Sequence, residues 1–338
     1  MSEKIKQVLP GNGSFRHHLS SGQKEIANNY RRNPQVQEIS IRGSQITYNV
    51  AAVEELMIET GLPVFLLVRE LLNLPNKDSV SIDPRGNENV VKEVNARDRL
   101  LVIKDSTKAG KRQNQAQRYT GESQINIGSV LGSEISRVGM GEFLRVVDIY
   151  AAVTKDGTDY QVMEKITGMS FDQLATNIKA QAELPELSDY LSILRESASK
   201  LKSLLQSSLQ ERNSKIEKLS KEIGGPVRFL QDKFGINKDF FREVKYDIRE
   251  LQARVAEIES FLLALKPFDK KGGNISDIDI RNLSFVVQEY IALETIIHPN
   301  VFSEISKGAW LNSPAIKGDN LMIDLGGKGL VVVDPTPN

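Results

Sequence analysis

Cysteine is absent from the 338 residues, and histidine occurs three times. The first absence removes disulfide scaffolding, thiol nucleophiles and every cysteine-containing metal site, and it fits a reducing cytoplasm. The second confines histidine-dependent catalysis to His17, His18 or His298. His17 and His18 are neighbours that would point apart in a helix or strand, with no carboxylate at a recognised ligand spacing nearby. His298 follows an apolar helix face and reads as a helix-end residue rather than a base. Neither sign of charge is in excess: Lys plus Arg and Asp plus Glu both number 44. No overall field therefore draws the chain to nucleic acid or an acidic membrane, and any such attraction is local. Long apolar runs are missing too. The start, MSEKIKQVLPGNGSF, lacks an apolar core of signal-peptide length, and the stretch from Leu62 to Val68 is too short to span a bilayer. The expectation is a cytoplasmic protein without membrane insertion.

Diagnostic catalytic motifs are also lacking. Neither GNGSF nor GSVLGSEISRVGMG supplies a phosphate-binding glycine pattern, and GGKG is followed by Leu330 rather than a hydroxyl residue. No Gly-x-Ser-x-Gly elbow and no His-Glu-x-x-His zinc helix occurs. No cofactor is expected.

What is present is organisation. An apolar content of 40% in a chain of this length can bury a sizeable interior, in about two or three domains. Residues 1–35 form a basic arm, with six basic side chains, among them Arg16, Arg31 and Arg32, against two acids. Residues 36–104 read as a small α/β unit. EISIRGSQITYNV has two alternating stretches around Gly43, and a helix from Val53 closes at Gly61, with Pro63 opening the next. Strands follow at Ser79 to Asp83 and Arg99 to Lys104. The order ββ, helix, ββ resembles a β-grasp arrangement.

Residues 105–124 read as a basic linker, and 125–186 as a β-hairpin plus helix. The hairpin turns at Asp156-Gly157, and Ser170 with Gln173 has the spacing of a capping box. In 187–300 the apolar period becomes helical. One series carries Leu194, Leu201 and Leu205; a second carries Val244, Leu251, Val255, Ile258 and Leu262. Gly224-Gly225-Pro226 separates them, so an antiparallel helical hairpin is expected, with a third helix at 278–297 able to cover it. Residues 301–338 end in a β-hairpin about Gly326-Gly327 and a tail. The fold class is thus α+β: a mixed α/β front, an antiparallel hairpin in the middle, a helical rear and a terminal hairpin.

Two features could carry binding. The run KDSTKAGKRQNQAQRYTGE, from Lys104, holds Lys108, Lys111, Arg112 and Arg118; with the arm it could grip phosphates, although Tyr119 is its one aromatic. The apolar helical seam could serve self-association or a partner, or simply form the interior. Asp277 and Asp279 offer a weaker cation candidate, which helix capping by Ser276 also explains. The leading expectation is a non-enzymatic assembly or adaptor protein, as a homo-oligomer or within a protein complex. The alternatives are a nucleic-acid-associated protein using the arm and loop, and a metal-assisted hydrolase.

Overall fold

A computed structural model describes residues 36–41, 43–63, 66, 71, 79–81, 90–96, 99–105, 121–155, 158–180, 185–222, 238–265, 277–294, 316 and 318–333. The fold is α+β, with antiparallel strands in one sheet, a mixed second sheet and a helical bundle.

The first hairpin pairs β1 (Val36–Ile41) with β2 (Ser44–Asn49) about Gly43. Helix α1 (Val50–Thr60) begins three residues ahead of the expected Val53, because the Asn49 side chain accepts the Ala52 N–H at 3.3 Å. It ends where expected: Gly61 takes the left-handed conformation, φ 66°, and donates its N–H to the Met57 carbonyl at 2.8 Å. Most of the helix expected after Pro63 lies outside the described residues.

Strands β3 (Ser79–Ser81), β4 (Val90–Ala96) and β5 (Arg99–Asp105) form an antiparallel meander. The sequence reading contains no strand at β4, since Lys92, Glu93 and Asn95 interrupt its apolar pattern. Helix α2 (Gly121–Arg137) follows, then a 3-10 turn at Met140–Glu142, and β6 (Leu144–Val146), β7 (Ile149–Lys155) and β8 (Thr158–Glu164). Lys155 pairs with Thr158, so β7 and β8 form the expected hairpin; its two turn residues fall outside the described ones.

The seven strands of the first sheet run in the order β1-β2-β7-β8-β5-β4-β3. The hairpin read from residues 125–186 therefore sits in the middle of a sheet whose flanks come from 36–104. The two strand pairs that resembled a β-grasp unit lie on opposite sides of it and do not meet. Ile46 and Thr47 pair with Val153 and Ala152 on one side, and Leu101 to Asp105 pair with β8 on the other. Continuous backbone pairing of this kind leaves no edge between the two segments.

Helix α2 is absent from the sequence reading, which treats GSVLGSEISRVGMG as a glycine-rich fragment. Ile127, Val130, Leu131, Ile135 and Val138 nevertheless recur at helical spacing and are all buried. Ile125 packs with Val102 and Ile149 of the first sheet, while Leu131 and Ile135 join the helical core.

Beyond β9 (Gly168–Ser170) the chain is mainly helical: α3 (Phe171–Lys179), α4 (Leu187–Glu222), α5 (Lys238–Leu265) and α6 (Asp277–Glu294). The last strands, β10 (Leu321–Asp324) and β11 (Gly329–Val332), pair as the expected terminal hairpin. They complete a second sheet, ordered β6-β11-β10-β9, in which β11 runs parallel to β6.

Helices α4 and α5 form the expected hairpin. Leu194, Leu201, Leu205, Leu251 and Ile258 are buried in one cluster with residues of α6 and the second sheet, and Val255 and Leu262 pack against it. Val244 lies in α5, with its side chain outside the described set. The described seam residues thus pack within the chain's own interior. Its polar interruption at 206–215 also has a use: Arg212 pairs with Glu294 of α6 at 2.7 Å and Asp247 of α5 at 3.5 Å. Asp277 and Asp279 lie in the first turn of α6. No described helix is long and apolar enough to cross a membrane.

Candidate functional site at the junction of the two sheets

The basic-clamp residues Arg16, Arg31, Arg32, Lys108, Lys111, Arg112 and Arg118 all lie outside the described residues. The one lysine of the basic run 104–122 with a described position is Lys104, and it does not belong to a solvated loop. It sits in β5, only 8% exposed, opposite Gln161 of β8.

Strand alternation fixes which way it points. Leu101 and Ile103 enter the cluster formed with Ile46, Leu56 and Val162, whereas Val102 enters a cluster with Ile149, Met163 and Val331. Lys104 shares the face of Val102 because side chains two apart on a strand point the same way. On β8, Tyr160 and Val162 take the first face, so Gln161 and Met163 take the second. Lys104, Gln161 and Ala152 thus form a row across β5, β8 and β7.

The terminal hairpin is brought to this face. Val331 is buried in the Val102 cluster and Val333 packs against it. At the open end of the hairpin, Leu321 pairs with Val332 and the Val333 N–H donates to the Asn320 carbonyl at 2.9 Å. Asp334 follows Val333 in the sequence and lies outside the described residues. The turn before Asn320 is tied to α3, since the Asp172 N–H donates to the Gly318 carbonyl at 3.1 Å. Helix α3 has the capping box read from the sequence: the Gln173 N–H donates to Ser170 Oγ at 3.2 Å, and the Ser170 N–H donates to Gln173 Oε1 at 2.9 Å. Ser170→Ala is expected to destabilise the chain by about 1 kcal/mol, read as a lower urea midpoint with an unchanged slope.

The closed end of the hairpin is clamped by charge. Arg145 of β6 donates to Glu164, the last residue of β8, and to Asp324 of β10 at 3.0 Å. Asp324 also accepts the Gly326 N–H at 3.0 Å, which closes the turn. Burial works against the Arg145 charge, but its hydrogen bonds to and attraction by both carboxylates outweigh this and raise its pKa. Burial lifts the Glu164 carboxyl above its usual range, more than the Arg145 hydrogen bond and charge lower it. Folding therefore tightens proton binding at Glu164. Its contribution to stability is full below the ordinary carboxylate value and is lost as pH rises through the raised one. The stability of the native chain relative to a Glu164→Gln variant is expected to fall as pH rises above the ordinary carboxylate range. Urea unfolding at stepped pH reads this directly, and a rise would contradict it.

A cavity of about 410 Å³ lies between α1, α2 and the β6–β7 segment. Its charged side chains are Glu55, Asp148 and Arg145, a net negative lining unsuited to a phosphate. Among the described residues no cluster of three or more metal-ligating side chains occurs. The sequence signal for the junction was weak, because Lys104 opens a basic run and Asn320 and Asp334 merely flank a hairpin. No family model matches this chain and no curated protein matches it.

Proposed function

We propose that the chain is a non-enzymatic adaptor that binds a Mg²⁺-nucleoside triphosphate at the junction of its two sheets. The observation that carries the reading is the burial of Lys104 on the face against which Val331 and Val333 of the terminal hairpin pack. Lys104 keeps an interaction within the chain, and an ammonium with three N–H donors is also suited to phosphate oxygens. Asn320, whose carbonyl accepts the Val333 N–H, and Asp334, the next residue in the sequence, carry side-chain oxygens of the kind Mg²⁺ prefers. Mg²⁺, when bound, would neutralise phosphate charge. Protein kinases use the same set of parts: a strand lysine on the phosphates, and an asparagine and an aspartate on the metal.

The likeness is one of parts, and two departures argue against turnover. In those enzymes an aspartate five residues ahead of the asparagine accepts the proton of the attacking hydroxyl. Here that position is Ala315, which has no proton acceptor. The β3–β4 connection, residues 82–89, carries the single glycine Gly86 in place of a glycine-rich phosphate cover. The reading is therefore of a site that binds without transferring phosphate.

The helical part supports the adaptor half of the reading. Helix α4 alone extends about 54 Å. Leu263 of α5 and Phe285 of α6 are 58% and 45% exposed, outside the interior seam. Calorimetric titration with adenosine triphosphate, with and without Mg²⁺, tests the proposal alongside a radiometric assay for released or transferred phosphate. Mg²⁺-dependent binding without turnover is expected. No binding would overturn the reading, and turnover would overturn its non-enzymatic half.

A further inference from the structure

The cavity between α1, α2 and the β6–β7 segment has no part in the nucleotide reading, and Lys104 does not line it. Its volume of about 410 Å³ falls in the usual range for small-molecule pockets. The space over α2 exists because Gly132 has no side chain. A Cβ there would meet nothing nearer than Val146 Cγ2 at 3.9 Å, so alanine would fit. Glycine inside a helix lowers its stability relative to alanine. The contacts of the chain itself therefore do not call for glycine at this place, whereas an occupant of the cavity would.

The polar side chains that α2 turns to the cavity have already used their donors. Ser133 Oγ donates to the Ser129 carbonyl at 2.9 Å and Ser136 Oγ to the Gly132 carbonyl at 3.0 Å, so each oxygen keeps only acceptor capacity. Arg145, the one cation of the described lining, donates to Glu164 and Asp324, neither of which lines the cavity. Glu55 of α1 has no hydrogen bond or ion pair among the described residues. Asp148 keeps an interaction of its own and adds a second negative charge to the lining. Apolar surface from Ala52, Val146 and Ile149 lies beside these acceptors. An ammonium carries three N–H donors and no acceptor, which matches such a lining, whereas a carboxylate or phosphate would meet acceptors and like charge. We propose that the cavity binds a primary alkyl- or arylammonium. Its head is hydrogen-bonded to Glu55, and its apolar stem lies in the space over Gly132.

The test is an amide-resolved NMR titration of the full chain with phenethylamine, phenethyl alcohol and hydrocinnamate, three probes of similar shape that differ in charge. The amine is expected to bind and to move the signals of residues 49–55, 128–136 and 144–149. The alcohol should bind about 10-fold more weakly, the range for losing one charge-assisted hydrogen bond, and the carboxylate not at all. In Glu55→Gln the amine affinity should drop about 5- to 10-fold while the alcohol affinity stays unchanged. Glu55 is exposed, so this variant should fold as the native chain does. In Gly132→Leu the added side chain occupies the space over α2 and should abolish binding of both amine and alcohol. The Glu55→Gln result stands whether or not Gly132→Leu folds. Equal affinities for the three probes, an unchanged amine affinity in Glu55→Gln, amine-induced shifts confined to other residues, or no amine binding would each overturn the proposal.

Discussion

Lys104→Met is expected to lower affinity for a Mg²⁺-nucleoside triphosphate by about 10- to 100-fold, the range for hydrogen bonds to a charged group. Lys104 is 8% exposed on a face shared with Val102, and an unbranched apolar side chain of similar length fits that surrounding. Calorimetry and urea unfolding on the same preparation separate the two effects. A variant that unfolds at the native midpoint but no longer binds assigns the lysine to the ligand. A variant that loses both would make Lys104 a structural group and remove the main support for the site.

Gly168→Ala should give the largest loss of stability of any single methyl addition among the described glycines. A Cβ at Gly168 would lie 1.8 Å from the Ile323 carbonyl oxygen and 2.9 Å from its carbon. Backbone cannot swing aside as a flexible side chain can, so β9 and β10 would have to part. That strains the pairs from Met322↔Ser170 to Asp324↔Gly168 and the 2.8 Å bond from the Leu325 N–H to the Thr167 carbonyl. Overpacking costs about 1–3 kcal/mol where side chains can adjust, and a backbone clash belongs at or above the top of that range. Because β10 leads from Asn320, nucleotide affinity should fall as well. Gly132→Ala serves as the contrast. The nearest atom to its Cβ would be Val146 Cγ2 at 3.9 Å, in the interior of α2. Alanine there should stabilise by up to about 1 kcal/mol. Equal effects at the two positions would contradict the packing argument.

Local signals were readable in the sequence wherever neighbours in the chain are also neighbours in space. The Ser170–Gln173 capping box, the Gly61 stop, the β7–β8 hairpin and the α4–α5 pair each depend on contacts along or between adjacent segments. The insertion of β7–β8 between β2 and β5 was not readable, because pairing partners more than fifty residues apart leave no spacing pattern. Helix α2 hid behind Gly128 and Gly132, residues of low helix propensity that tertiary packing overrides. Lys104 was legible only as the first cation of a basic run. Its burial follows from being the last inward residue of β5, a property of the sheet and not of the run. Asn320 carries meaning only once the hairpin closes and Val331 and Val333 dock on the first sheet. The helical seam was visible as a pattern, but whether it faced inward or outward required the positions of α6 and the second sheet.

An acyl phosphate of adenosine triphosphate provides the most direct test of the junction as a nucleotide site. A lysine beside the bound phosphates attacks the acyl carbon, forms an amide and releases the nucleotide, leaving a mass tag that peptide mapping locates. The account predicts tagging at Lys104, suppressed by excess Mg²⁺-adenosine triphosphate and absent in K104M. Tags spread over surface lysines, or a Lys104 tag indifferent to competing nucleotide, would contradict it.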